Sequence, residues 1–174
     1  MMTSYIGSAM KLAWIAHYEY YRKDGITPYV VHPIEVMRLL QKCGVTNQEI
    51  LAVALLHDVI EDTSITYEQL SAGDYKGYVA DSVLALTIPS GVTKQQYIDS
   101  FAGKPMDLVK VKAADRICNV KDFIASGDVK YAKKYLEKGE PIFRQLLEEK
   151  ESRCGVVRNL RWEYISLVDS LNGR

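Results

Sequence analysis

His57, Asp58, Glu61 and Asp62 lie close together at the end of the stretch Leu51–Thr63, LAVALLHDVIEDT. Leu51 to Leu56 are all apolar, without Gly or Pro, and a helix that is apolar all round is buried on every side. Charged groups at the end of such a helix are costly unless they are paired or bound to a metal. In a continuous helix Glu61 falls one turn past His57 and Asp62 one turn past Asp58, so the spacing predicts that all four side chains crowd one end and roughly one side. His32 precedes Pro33, and Asp115 sits in KAADRICNV, where Asn119 shares its helix face. Two imidazoles and two carboxylates drawn from three segments suit one divalent metal. Mn²⁺, Fe²⁺, Ni²⁺ or Zn²⁺ fits that mix better than soft copper. Such an ion makes water a nucleophile at neutral pH.

The elements that must position these groups read as helices. Thr3 to Tyr21 forms the first, with Ile6, Met10, Ala13, Trp14 and His17 along one stripe and Gly25 beyond its end. Ile26 to Val31 is a loop containing Pro28. His32-Pro33 then opens a helix with Ile34, Val36, Met37 and Leu40 on its apolar face, stopped by Gly44. Thr46-Asn47-Gln48-Glu49 is a capping-box pattern at the start of the Leu51 helix, repeated at Thr66–Gln69 and Thr93–Gln96. Gly77–Thr87 is amphipathic and is followed by Pro89-Ser90-Gly91. Pro105 starts a helix running to about Phe123, and further helices span Val129–Leu136, Pro141–Ser152 and Val156–Leu171. No segment alternates with period two for long, and there is no internal repeat or low-complexity linker. The expectation is a single all-α domain over residues 1–174.

Composition narrows the function. The 174 residues are 48% apolar and 25% charged, an ordinary globular balance with enough chain to bury a core unaided. Lys+Arg and Asp+Glu stand at 22 each, so there is no basic excess of the kind nucleic-acid binders carry. Cys43, Cys118 and Cys154 are widely spaced, with no C-x-x-C, and read as reduced thiols of a cytoplasmic protein. Neither a signal peptide nor a membrane span is expected.

HPIEVMRLL, LLHDVIEDT and KAADRICNV resemble, in this order, the successive motifs of the HD phosphohydrolase superfamily. More narrowly they resemble the hydrolase domain of the Rel/Spo alarmone enzymes and its small stand-alone relatives. Those proteins also carry A-H-x-x-x-x-R-K-x-G-x-P-Y upstream, which Ala16-His17, Arg22-Lys23-Asp24-Gly25 and Pro28-Tyr29 follow. The match covers about residues 13–122. The resemblance implies a compact HD-domain helical bundle, with His32, His57, Asp58 and Asp115 as metal ligands and Mn²⁺ as the favoured ion. It implies that Glu61 and Asp62 position or deprotonate the attacking water. Arg22 and Lys23 then face the nucleotide, and Tyr29 and Asn119 line the same pocket. The implied activity is hydrolysis of guanosine 3′,5′-bis(diphosphate) or its pentaphosphate at the 3′ pyrophosphate, giving GDP or GTP and pyrophosphate. With no synthetase-like segment in the sequence, the chain is expected only to degrade the alarmone. Tyr18-Glu19-Tyr20-Tyr21 stands where the family commonly has Gly-Gln, Cys118 where many relatives have His or Tyr, and Ser71–Tyr78 lacks the usual Phe-Gly.

Two rival functions remain open on sequence. One keeps the fold but acts on another nucleotide, such as NADPH or a nucleoside phosphate; the other is a non-catalytic nucleotide sensor or toxin-neutralising protein. Individual residues also have structural readings. His17 faces an apolar stripe and reads as a hydrogen-bonded core histidine. Arg116 reads as ion-paired with a carboxylate such as Asp58 or Glu61. Arg22-Lys23 can be a solvated helix end, where cations favour the dipole, and the run Leu147–Arg153 a solvated face. The twelve tyrosines read as amphipathic filler between core and solvent.

Overall fold

Capping residues and glycines, rather than strand alternation, punctuate the chain, and the computed structural model follows that punctuation. It describes residues 4–148 and 155–173. All regular elements among them are α-helices, as the sequence predicts; the one β-type pairing is an isolated bridge between Tyr21 and Pro28. The described residues gather into two units, one from within residues 1–41 and 45–88, the other from within 42–44 and 89–174.

In the first unit, α1 (Tyr5–Ala16) and α6 (Tyr78–Leu86) both pack on α3 (Gln48–Leu56). Every α3 residue from Ile50 to Leu56 is buried, as its uniform apolarity predicts. Each such leucine removed from water contributes roughly 1.5–3 kcal/mol. Asn47, not Thr46, caps α3, its side chain accepting from the Glu49 and Ile50 amides. The α1 face differs from the predicted stripe. Ala9, Ala13 and His17 are buried, while Trp14 is 54% exposed. Small side chains let α1 approach α3 closely, and a Trp does not fit there. The helix also ends at Ala16 rather than Tyr21, and Glu19 takes a positive φ of 69°. α2 (Val31–Lys42) buries Val36, Met37, Leu39 and Leu40 and stops before Gly44, whose φ of 103° suits glycine. α4 (Val59–Asp62) is one turn, and α5 (Tyr67–Ala72) opens with the capping box expected at Thr66–Gln69.

In the second unit, α8 (Met106–Ala125) is packed by α9 (Val129–Lys138), α10 (Glu140–Glu148) and α11 (Gly155–Asn172); α7 (Lys94–Asp99) lies on α10. The Thr93–Gln96 capping box starts α7 as predicted. Among the described residues, buried Arg116 makes no ion pair with a carboxylate. Its guanidinium lies 3.9 Å from the centre of the Tyr135 ring and donates to the Tyr135 carbonyl near the end of α9. A cation at a helix C-terminus meets the negative end of the dipole. Gly139 makes room for it, because a Cβ there would collide with the Arg116 guanidinium. Cys43 and Cys118 are buried and free of disulfides. Cys154 and most of the charged run after Glu148 lie outside the described residues. No helix among the described residues is long and apolar enough to cross a membrane.

Candidate metal centre

The predicted single helix through Leu51–Thr63 is broken where the chemistry begins. α3 ends at Leu56, Asp58 adopts φ −102° and ψ −3°, and α4 restarts at Val59. His57 stays in the core, and its Nδ1 lies 2.8 Å from the Ala54 carbonyl oxygen. A carbonyl only accepts, so Nδ1 carries a proton, and in the neutral imidazole Nε2 then keeps its lone pair for a cation. That Nε2 lies 3.1 Å from Asp58 Oδ2, and His32 Nε2, supplied by the first turn of α2, lies 3.9 Å from the same oxygen. One ligand atom from each of His32, His57 and Asp58 falls within 4.8 Å of the others. Donors bound to one ion at about 2.0–2.2 Å stand roughly 3–4 Å apart, and the two imidazole–carboxylate distances fall in that range. A lone pair and a carboxylate oxygen facing each other call for a positive charge beside them. The three side chains fit a divalent cation, and the carbonyl bond on His57 is the usual device for orienting a ligating imidazole.

Asp115, the fourth expected ligand, belongs to the second unit, where α8 buries it. Its Oδ2 pairs with Lys112 at 2.9 Å and its Oδ1 accepts from Asn119 at 2.6 Å. The Asn119 amide, expected in a substrate pocket, therefore holds a carboxylate.

The acidic pair divides. Asp62 Oδ2 accepts from the Tyr29 hydroxyl at 2.9 Å, and the same hydroxyl donates to Asp58 Oδ2 at 2.7 Å. Glu61 Oε2 instead accepts from the Ile88 amide at 3.3 Å. Both acids are exposed. Burial, then the nearby charges of Asp58 and Asp62, push the Tyr29 hydroxyl far above its usual range, so it stays a donor.

Tyr29 closes the loop that the sequence signals through Gly25 and Pro28. Asp24 Oδ1 accepts from the Ile26 and Thr27 amides at 2.9 Å each, and Oδ2 from the Thr27 hydroxyl at 2.6 Å. The hydroxyl bond, then the two amide bonds, hold the Asp24 carboxyl below the usual carboxylate range. Gly25 supplies the turn at φ 69°. Backbone bonds Arg22–Thr27 and Tyr29–Tyr20, each 2.8 Å, complete the loop. It carries Arg22, half-buried with its guanidinium 5.6 Å from the centre of the Tyr29 ring, and Lys23, which is exposed.

His17 is buried as predicted but not hydrogen-bonded: neither ring nitrogen has a hydrogen-bond partner among the described residues. Its ring packs on Tyr29, centroids 4.7 Å apart. Burial lowers its pKa below the usual 6.5, outweighing the opposing pull of Asp58 and Asp62. The unfolded chain therefore takes up this proton first, so stability rises with pH across this range and is lost as pH falls below 6.5. In metal-free protein, lowering the pH from about 7.5 to 5.5 should depress the thermal midpoint more in the parent than in His17→Phe. His32 and His57 are common to both proteins, and parallel curves would refute the assignment.

A family model described as HD domain matches residues 9–150. The chain is 34% identical over 147 residues to a probable GTP pyrophosphokinase of Mycobacterium leprae, covering 80% of this chain and 18% of that protein. It is 32% identical over 111 residues to a guanosine-3′,5′-bis(diphosphate) 3′-pyrophosphohydrolase of Xenopus tropicalis, covering 61% of this chain and 62% of that one. The counterpart from Danio rerio is 35% identical over 101 residues, 55% of this chain and 56% of its own. The chain thus spans less than two thirds of the length of each of these relatives. A solved structure described as a metazoan ortholog of SpoT that hydrolyses ppGpp superimposes with a TM-score of 0.81 at 22% identity, covering 98% of this chain and 97% of its own. That likeness shows a shared fold.

Proposed function

The chain belongs to the HD-domain family, and from that premise we propose that it is a metal-dependent phosphohydrolase. The substrate we propose is guanosine 3′,5′-bis(diphosphate), or its pentaphosphate, cleaved at the 3′ pyrophosphate. The observation that carries the reading is the convergence of His32, His57 and Asp58, inside motifs that resemble those of the alarmone hydrolases. The curated names of the relatives from Xenopus and Danio support the substrate class. Residues 1–174 are read as a single HD domain, supported by a family match that runs through both units.

In this mechanism Asp115 joins His32, His57 and Asp58 in holding the cation, for which Mn²⁺ is our choice among hard and borderline ions. When bound, the ion supplies Lewis acidity, acidifying a water and drawing charge from a phosphoryl oxygen. Asp62 uses the carboxylate oxygen not engaged by Tyr29 to orient the water and accept its proton. Glu61 assists from the same turn. The water oxygen bonds to the phosphorus that the 3′ oxygen leaves. One P–O bond forms and one breaks; the proton taken up by Asp62 is returned, through solvent, to the leaving 3′ oxygen, which restores the hydroxyl as pyrophosphate is released. Arg22 offers a planar, bidentate grip on phosphate and Lys23 a point charge, offsetting the negative charge that accumulates. A cytoplasmic setting goes with this substrate and with the free thiols of Cys43 and Cys118.

A panel of nucleotides incubated with Mn²⁺, with products identified, tests the reading. The expected result is equimolar GDP and pyrophosphate from the bis(diphosphate), abolished by chelation. Orthophosphate from NADPH or a nucleoside phosphate, with the bis(diphosphate) untouched, would replace the substrate. Nucleotide binding without turnover would replace the enzyme by a sensor.

A further inference from the structure

Tyr29 stands between the two carboxylates given different tasks above. Its hydroxyl has one hydrogen and lies 2.7 Å from Asp58 Oδ2 and 2.9 Å from Asp62 Oδ2. Asp58 and Asp62 are one helical turn apart, and two like charges at that spacing repel unless something positive or proton-bearing lies between them. The hydroxyl is the donor that both oxygens face.

Its place is set independently of either carboxylate. The Tyr29 amide bonds the Tyr20 carbonyl, and the adjacent Pro28 pairs with Tyr21 across the loop. The ring packs against His17, stands edge-on to His32 at 6.0 Å between centroids, and lies under the Arg22 guanidinium. A tyrosine used to stack on a base would present an open face, and one used to grip a phosphate would aim its hydroxyl outward. This half-buried side chain packs against the His17 and His32 rings and the Arg22 guanidinium, and its only hydrogen is directed at protein carboxylates.

We propose that Tyr29 is a positioning residue, sharing its hydroxyl hydrogen between Asp58 and Asp62 and so tying the orientation of the water-handling acid to that of a metal ligand. The proposal rests on the reading of Asp58 as ligand and Asp62 as acid–base group. It departs from the pocket-lining role that the sequence resemblance implies, because here Tyr29 acts on substrate only through two other side chains.

The test is Tyr29→Phe, which keeps the ring and removes the hydroxyl. Calorimetric titration of the metal-free protein with Mn²⁺ should show binding weakened by about 10-fold, the lower end of what loss of an outer partner costs. Turnover should show kcat reduced by about 10–100-fold with KM within about twofold of the parent. Adding Tyr29→Phe to Asp62→Asn should lower kcat by much less than it does alone, since residues acting through one another are not additive. Unaltered Mn²⁺ affinity and kcat in Tyr29→Phe would overturn the proposal, as would a large rise in KM alone, which marks a substrate contact. If the parent itself fails to bind Mn²⁺, the metal-site reading falls and the proposal with it. If the parent binds and Tyr29→Phe binds equally well, only the positioning role falls.

Discussion

Replacing His57 by alanine is expected to reduce Mn²⁺-dependent hydrolysis by about 10³-fold or more, one order beyond the roughly 10–100-fold that outer partners of a metal site account for. The imidazole is 1% exposed and fixed at one nitrogen by the Ala54 carbonyl, so its other nitrogen is held in one orientation, and an alanine methyl supplies no donor there. Asp58→Ala should do the same, since Asp58 Oδ2 is the atom that both imidazoles approach. Neither change should unfold the protein. α3 is held by Ile50 to Leu56, all of which remain, and removing buried imidazole or carboxylate leaves a polar space that water can fill. Far-UV circular dichroism should therefore be preserved while calorimetric Mn²⁺ binding is lost. Turnover close to that of the parent in either variant would remove the metal centre from the mechanism.

Asp62→Asn is the second large effect, an expected fall in kcat of about 10²–10⁴-fold, the range attributed to a positioned general base. The amide keeps the size of the side chain but cannot accept the proton of the attacking water. KM should change little, because Asp62 is not among the groups proposed to grip phosphate. Glu61→Gln should cost distinctly less. Glu61 Oε2 accepts from the Ile88 amide, whereas Asp62 shares a hydrogen-bond donor with Asp58. Ranking the two variants by kcat at saturating Mn²⁺ separates the members of the acidic pair. A larger loss in Glu61→Gln would reverse their roles.

Much of this site could be read before any coordinates, because its signals are local. His57-Asp58 with Glu61-Asp62 follows a helix whose apolarity needs no tertiary context, and the Thr66 and Thr93 capping boxes mark their helices within four residues. What escaped was decided at a distance. The break after Leu56 involves no Gly or Pro; it goes with a buried imidazole that bonds back to Ala54. Trp14 fits a helical stripe perfectly well on paper. The packed face of α1 is nevertheless carried by Ala9 and Ala13, which give a weak hydrophobic signal. Arg116 found a backbone carbonyl, a partner that no residue pattern reveals. The bonds from Tyr29 to Asp58 and Asp62 cross 29 and 33 residues, beyond any periodicity. Lys112 could have been found, since an i,i+3 Lys–Asp pair is visible in the sequence beside Asp115.

The clamp around Asp24 affects how a phosphorylated ligand would be received. With three bonds into one carboxylate and a glycine at the turn, the arm bearing Arg22 and Lys23 is already ordered before anything arrives. Fixing a residue's backbone takes roughly 1–2 kcal/mol of conformational entropy, and here that loss is met during folding rather than at encounter. What remains to be frozen is the motion of two long side chains, about 0.5–1.5 kcal/mol each. If Arg22 and Lys23 receive phosphate as proposed, capture on such an arm would resemble docking to a preformed edge, with selectivity set by the spacing of charges.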